Sequence, residues 1–217
     1  MTLIYLTYET NQKDKLMKDN IKNILSIYKL ATPQEIKDGI AWYLEAYKIS
    51  NEIAIECELP LNIVVGVIAS LSPNNKWDRN IINARDLIKA FLNGEHIESF
   101  KVSTYNAMKQ KAWHIMETMP NHEETISILN GQKIVSFYRN IMGDDTCTVD
   151  GHAFNIWRNE RHGLTTDKTN IGKKLYREIQ DDYVEACKHI KTNGRNLKAF
   201  EMQAITWVTW RRINGIV

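Results

Sequence analysis

Residues 126–159 constrain the fold of this chain more than any other stretch, because they predict three short helices joined by turns. The pair Asn130-Gly131 predicts a tight turn, a helix follows over about residues 133–142, and Asp150 opens a third helix after a second turn. Gly131 offers the backbone freedom that a sharp turn needs, and the free amides at the start of the following helix can hold a phosphate. The stretch therefore predicts a phosphate-binding turn followed by a carboxylate.

Helical patterns continue along the rest of the chain. The segment Thr32-Pro33-Gln34-Glu35 predicts a helix start with a capping box, and the helix that follows reaches about Glu58. The next helix, after Pro60, is apolar nearly all round, which predicts that it is buried and that Gly66 lets a neighbouring helix approach closely. An extended arm is predicted over residues 1–9, and helices from residue 12 onward and over 77–94, 104–119, 167–190 and 197–212. We therefore predict an all-α architecture.

Composition narrows the class of protein. The chain has 217 residues, of which 43% are hydrophobic and 25% charged, so it can form one or two compact globular domains. Its formal net charge of +2 permits nucleic-acid binding without arguing for it. Cys57, Cys147 and Cys187 form no CxxC pair, which argues against a disulfide frame, a zinc site or an iron–sulfur cluster. We therefore expect a reducing compartment, no metal and no cofactor.

Targeting and membrane signals are missing from the pattern of the sequence. The N-terminal residues show no basic-then-apolar layout, and no apolar run approaches the roughly 20 residues that span a bilayer. We expect a cytoplasmic, monomeric protein that does not contact a membrane.

Four lysines are candidates for attracting a phosphate backbone. Lys109 and Lys111 lie on the helix of residues 104–119, whereas Lys173 and Lys174 lie on the surface of the later basic helix. Such charges are ordinarily a solvated helix face, and a phosphate-facing role is the alternative.

The loop between the buried helix and the next one is a second candidate site. Asn74, Asn75 and Trp77 lie there, and polar loops between packed helices commonly carry ligand contacts. The alternative is that Pro73 and Asn74 only form the turn and cap the helix.

Lys133 and Asp150 are the candidates for chemistry. A helix of about ten residues is roughly 15 Å long, so a chain that runs along it and doubles back brings Asp150 near the turn again. A carboxylate there can stabilise a cationic sugar as an N-glycosidic bond breaks, and a lysine amine can attack C1′ to form a Schiff base. The alternative for Asp150 is a helix N-cap, and a structural hydrogen bond explains His152 better than catalysis does.

Four segments together resemble the helix-hairpin-helix DNA glycosylases, the superfamily of endonuclease III and 8-oxoguanine glycosylase. Residues 61–75 resemble its buried helix and DNA-probing loop, and residues 105–116 resemble the helix before its hairpin. Residues 128–138 resemble its hairpin pattern Leu-Pro-Gly-x-Gly-x-Lys, with Lys133 at the lysine. Residues 148–159 resemble Val-Asp-x-His-x-x-Arg, with Asp150 at the catalytic aspartate and His152 at the histidine.

The resemblance implies a two-lobed all-α fold with its active site in the cleft between the lobes. One lobe would be a helical barrel over residues 61–142, and the other would combine residues 1–60 with 143–217 and carry Asp150. Double-stranded DNA would bind through the backbone of Asn130, Gly131 and Gln132 and through the four lysines, while Asn74, Asn75, Trp77 and His152 would probe DNA or line a base pocket.

The chain departs from the superfamily pattern in several places: the spacing from Lys133 to Asp150 is a residue or two shorter than usual, and the usual arginine after the histidine is absent. Leu129 occupies the first glycine position of the hairpin, which predicts a distorted turn with a weaker hold on phosphate. The four-cysteine iron–sulfur loop is absent, as in small phage-type members, which the chain also resembles through Ser-Pro-Asn-Asn at residues 72–75 and the run at residues 203–212. A phage-encoded chain would act in the host cytoplasm.

Three functions follow as expectations. The first is a DNA glycosylase that flips a modified, damaged or mispaired base from DNA and cleaves its N-glycosidic bond, with AP-lyase activity through Lys133 left open. The second is a base-modifying transferase acting on a 5-hydroxymethyl-derived pyrimidine in phage DNA. The third is a non-catalytic helix-hairpin-helix module, in which Asp150 is only a cap.

Overall fold

The computed structural model of the chain describes residues 17–163 and 171–216, and these are mostly helical. The predicted arm over residues 1–9 and the helical start at residue 12 lie outside this part of the chain. The described residues form ten α-helices, one 3-10 turn and one two-stranded sheet. In chain order they are α1 Asp19–Lys29, α2 Pro33–Glu56, α3 Leu61–Leu71, α4 Trp77–Leu92, the 3-10 turn Ile97–Ser99, α5 Asn106–Thr118, α6 His122–Leu129, α7 Gln132–Met142, α8 Gly151–Arg158, α9 Lys173–Lys188, β1 Lys191–Thr192, β2 Arg195–Asn196 and α10 Ala199–Ile213.

The chain divides into two compact units. The central unit is Ile40–Thr148, and the terminal unit consists of the described residues within Met1–Gly39 and Val149–Val217. The first boundary falls inside α2, whereas the resemblance placed it at residue 61. The difference has a physical reason, since Trp42 and Tyr43 of α2 pack against Phe137 within the central unit.

The central unit is organised around α3. This helix is apolar along its length, and the prediction that it is buried is confirmed, because every residue from Ile63 to Leu71 is buried. It packs against α4, α5, α6 and α7. Gly66 permits this, because a Cβ atom there would lie 2.9 Å from Thr125 Cγ2 and 3.3 Å from Ile115 Cδ1.

The terminal unit packs α1 against α8, α9 and α10, with Ile21 and Ile24 in its core. One of its buried polar residues is Asp182, which accepts hydrogen bonds from Trp157 Nε1 at 2.9 Å and from Lys18 Nζ at 3.0 Å. Burying a carboxylate is costly unless donors compensate it, and the indole and the ammonium both do so. The same bonds connect α9 to α8 and to the residue before α1.

A capping box and an ion pair fix the start of α2. Glu35 N donates to Thr32 Oγ1 and Thr32 N donates to Glu35 Oε2, which confirms the predicted box. The Arg212 guanidinium donates to both carboxylate oxygens of Glu35 and holds the pKa of that carboxyl below its ordinary value. The end of α10 is thereby connected to the start of α2.

The later part of the chain departs from the predicted pattern in two places. An antiparallel hairpin that was not predicted pairs Lys191 with Asn196, while the described residues remain mostly helical, in agreement with the all-α prediction. Its turn places Asn193 and Gly194 at φ 53° and 79°, the left-handed geometry that closes a two-residue hairpin. The basic helix begins at Lys173, after an extended Gly172, rather than at residue 167, and residues 164–170 lie outside the described part.

No single helix in the described part of the chain is both long and apolar enough to span a membrane. The pair α2 and α3 reaches that length and apolarity jointly but is bent by 120° at its break.

Candidate functional site

The turn between α6 and α7 has two residues, and their backbone conformations differ from the prediction. Asn130 takes the left-handed conformation at φ 42°, while Gly131 is extended at φ −143°. The expectation that Gly131 supplies the special backbone freedom is therefore wrong, because an extended φ is open to any residue. A Cβ atom on Gly131 would meet Ile134 Cδ1 at 3.6 Å, an ordinary contact.

Leu129 explains why the hairpin departs from the glycine-rich pattern. Its side chain is fully buried, so this position serves the core of the central unit rather than the turn. Its carbonyl accepts a hydrogen bond from Lys111 Nζ, and burial lowers the pKa of Lys111 below its ordinary value. Lys111 thus supports the turn from within the unit, and its ammonium is already engaged.

Lys109 does not fit the phosphate-binding role that the sequence suggested. Its side chain is buried, and Nζ donates to the carbonyls of Ile97 and Phe100 at 3.0 Å each. Two carbonyl acceptors compensate the buried ammonium, so Lys109 closes the loop before α5. A charge held in this way is not presented to a ligand.

The first turn of α7 is open at the surface. Asn130 and Lys133 are exposed and Gln132 is half-buried. Gly131 is the N-cap residue and no side chain caps the helix. Helix amides without a side-chain cap favour an anion at this end, which agrees with the expected use of the turn.

Asp150 is the N-cap of α8, as the sequence allowed. Its Oδ1 accepts from Ala153 N at 2.8 Å, which is the ordinary capping bond. Its Oδ2 accepts from the Trp207 indole Nε1 at 3.1 Å, a contact with a residue on α10. The residue is half-buried, and two donors fix the two oxygens of its carboxylate.

The residue before Asp150 is held as well. Val149 N donates a hydrogen bond across to the Tyr176 hydroxyl at 3.0 Å, a partner on α9. Within the central unit, the amide of buried Asn140 donates to the carbonyls of Asp144 and Thr146, which fixes the loop leading toward Asp150. Asn140 therefore holds the residues of this segment that belong to the central unit, and Tyr176 holds Val149 within the terminal unit.

Trp207 is the centre of a cluster around Asp150. The guanidinium carbon of Arg211 lies 4.4 Å from the Trp207 ring centroid, one helical turn further along α10. The buried His152 ring meets Trp207 edge-on at 6.0 Å between centroids. We call Asp150, His152, Trp207 and Arg211 the Asp150 cluster, and all four belong to the terminal unit.

The loop after α3 has one capping side chain and one exposed tip. Asn75 Nδ2 donates to Leu71 O, so Asn75 caps the end of α3. Asn74 is exposed and left-handed at φ 52°. Pro73 O accepts from Thr104 Oγ1, which ties the loop to the segment before α5.

Trp77 belongs to a group of aromatic rings in the central unit. Its centroid lies 5.1 Å from that of Trp42 and 6.3 Å from that of Phe137, and the latter two are 5.9 Å apart. The three rings come from α4, α2 and α7, and each is half-buried. We call them the aromatic platform.

Comparison with known proteins gives a family but no activity. A family model described as a family of unknown function (DUF7178) matches residues 7–214. The chain belongs to the DUF7178 family. No curated protein and no solved structure matches it.

In this DUF7178 protein, Lys133 lies in the central unit and Asp150 in the terminal unit. Lys173 and Lys174 are exposed at the start of α9. Among residues 17–163 and 171–216, no three His, Cys, Asp or Glu side chains are grouped so that they could hold a metal ion. Sequence reasoning missed Trp207 and Arg211, although their spacing of four on a helix places them on one face.

Proposed function

We propose that this protein is a DNA glycosylase, which extrudes a modified, damaged or mispaired base from DNA and cleaves its N-glycosidic bond. The observation that carries the proposal is the carboxylate of half-buried Asp150, whose two oxygens are held by Ala153 N and Trp207 Nε1. A simple helix cap needs only the first of these bonds. The bond from Trp207 fixes Oδ2, the carboxylate oxygen that takes no part in the capping bond.

An oriented carboxylate suits the breaking of a glycosidic bond. Positive charge develops on the sugar in the transition state, and a negative group already in place stabilises it without reorganising. Each carboxylate oxygen has two lone pairs, so Asp150 can still accept a hydrogen bond from water or substrate at each oxygen. Arg211 on the Trp207 ring adds a positive charge suited to a phosphate of the strand.

The α6–α7 turn is the proposed contact with the DNA backbone. Asn130, Gly131, Gln132 and Lys133 would bind phosphate through the uncapped start of α7. Lys111 would act indirectly, because it holds Leu129 O behind the turn. Lys173 and Lys174 are exposed and would add attraction that does not depend on sequence.

A second candidate is a DNA-binding module without catalysis. It is favoured by the capping bond from Ala153 N to Asp150, because a satisfied N-cap needs no chemical role. The two candidates predict the same DNA contacts at the turn and differ only in the fate of the base.

The test is an incubation with duplexes that carry a panel of altered bases, followed by alkali and by mass spectrometry of the products. The glycosylase predicts alkali-labile breaks and a released base. Asp150→Asn should slow their formation by about 10²- to 10³-fold while keeping a capping side chain. Thr32→Ala, which removes a cap elsewhere in the terminal unit, should leave the rate unchanged. DNA binding with no altered product from any duplex would favour the module, and a mass gain on an uncleaved base would indicate a transferase.

Lys133 is tested separately by borohydride trapping. A Schiff base between its amine and C1′ would give a covalent adduct on reduction. An adduct that persists in Lys133→Gln would remove Lys133 from the mechanism without affecting the role of Asp150.

A further inference from the structure

We propose that the aromatic platform of Trp42, Trp77 and Phe137 stacks an unpaired nucleobase of a DNA strand. The inference rests on DNA as the ligand in the proposed function, and it assigns to the central unit a contact with the base itself. It does not require bond cleavage.

The geometry of the rings is the first argument. Trp42 is inclined by 52° to Trp77 and by 51° to Phe137, and Trp77 stands at 85° to Phe137. Rings inclined in this way do not cover each other's faces as a parallel stack would, and each of the three residues is half-buried rather than fully enclosed. Tyr43 is buried and packs against two of the three rings, those of Trp42 and Phe137.

The indole donors are the second argument. Trp157 and Trp207 each donate Nε1–H to an aspartate. Among residues 17–163 and 171–216, the Nε1–H groups of Trp42 and Trp77 have no acceptor. A nucleobase offers both a π face for stacking and ring nitrogens or carbonyl oxygens that accept such donors.

The charge beside the rings is the third argument. Lys133 precedes Phe137 by four residues on α7, so both lie on one face of that helix, and Lys76 immediately precedes Trp77. Both lysines are exposed, and neither forms an ion pair with a residue of the described part of the chain. Aromatic rings beside cations are the combination by which proteins bind single-stranded DNA. Lys133 also belongs to the proposed phosphate-binding turn, so a base and its phosphate would be bound by one helix.

The test uses the full chain and oligonucleotides that carry one 2-aminopurine, whose emission falls when it stacks. One oligonucleotide is single-stranded, and the other is a fully paired duplex. We expect quenching with the single strand. Because loss of one stacking ring weakens binding about 5- to 150-fold, Trp77→Leu and Phe137→Leu should each weaken it within that range. Trp77→Phe should restore most of the affinity.

Tyr47→Leu is the matched control, because it removes an exposed aromatic from α2 outside the platform and should leave the affinity unchanged. Circular dichroism of each variant tests whether it folds. If a leucine variant does not fold, the platform is tested by quenching with the wild type and by the affinity of Trp77→Phe, which should be close to that of the wild type. Absence of quenching by the wild type, or folded leucine variants that bind as the wild type does, would overturn the platform.

The outcome is independent of excision. A protein that quenches 2-aminopurine through Trp77 and excises no base supports the platform and contradicts the glycosylase. A protein that excises bases with full quenching in Trp77→Leu and Phe137→Leu contradicts the platform and leaves the glycosylase standing.

Discussion

The hydrogen bond from Trp207 Nε1 to Asp150 Oδ2 joins α10 to the start of α8, and a double-mutant cycle can measure its free energy. Trp207→Phe removes the donor and keeps an aromatic ring beneath Arg211. Asp150→Ala removes the acceptor and, with it, the capping bond from Ala153 N.

The expected magnitudes follow from the two bonds. A hydrogen bond to a charged group contributes about 1.5–3 kcal/mol, and we expect about 1 kcal/mol here because both side chains are half-buried and water competes. The N-cap bond contributes about 1 kcal/mol. Asp150→Ala should therefore lower the free energy of unfolding by about 2 kcal/mol and Trp207→Phe by about 1 kcal/mol. The double mutant should lose about 2 kcal/mol rather than about 3 kcal/mol, because the shared bond can be lost only once.

Urea unfolding followed by circular dichroism measures all four proteins, and equal m-values would show that the unfolded states are comparable. A double mutant whose loss equals the sum of the single losses would refute the reasoning, since Trp207 would then not hold Asp150. Asp150→Asn offers a further check. It keeps a capping oxygen but can turn its amide toward the indole donor, so it should lose about 1 kcal/mol.

Three other predictions concern residues whose environment differs from their appearance in the sequence. Lys109→Met should lower the unfolding free energy by about 1–3 kcal/mol in urea titrations and leave DNA affinity unchanged, because the ammonium serves two carbonyls; a selective loss of DNA affinity would contradict this. Glu35 has a pKa below its unfolded value of 4.5 because of Arg212, so its contribution to stability is present above that value and is lost as pH falls through the folded pKa. Glu35→Gln should accordingly flatten the pH dependence of unfolding below about pH 4.5, and an unchanged slope would count against the pair. Gly39→Ala should cost about 1–3 kcal/mol because its Cβ would lie 2.7 Å from the Ile205 backbone, whereas Gly131→Ala should be tolerated; thermal unfolding of the two variants gives the comparison, and equal losses would be the contrary result.

Local pattern predicted the helices well where burial and capping decide them. The all-round apolar character of α3 predicted a buried helix, and the Thr32 to Glu35 box predicted the start of α2. Both signals lie within a few residues, so no knowledge of the rest of the fold is needed. The β1–β2 hairpin was missed because strands of two residues show no alternation, although its Asn193-Gly194 turn carries a recognised signal.

The candidate site was predicted in part. Asp150 was identified with its capping role, but the Trp207 bond spans 57 residues and depends on how α10 packs, which no local pattern contains. Lys109 and Lys133 are both lysines in predicted helices, and the sequence does not distinguish their environments. Lys109 is buried against carbonyl groups, whereas Lys133 is exposed. Lys109 is buried because the 3-10 turn and Phe100 lie against α5 and accept hydrogen bonds from its ammonium. The aromatic platform was likewise visible only as Trp77, because its other rings lie on distant helices.

The glycosylase proposal is tested most directly by the single-turnover rate of base release from an intact duplex that is a substrate of the wild type. The rate is measured for the wild type and for Asp150→Asn at the same salt concentration. Loss of a preorganised charge at the reacting centre predicts a rate lower by about 10²- to 10³-fold, with DNA affinity changed little. An Asp150→Asn protein that releases the base as fast as the wild type would contradict a catalytic role for Asp150 and leave it a helix cap.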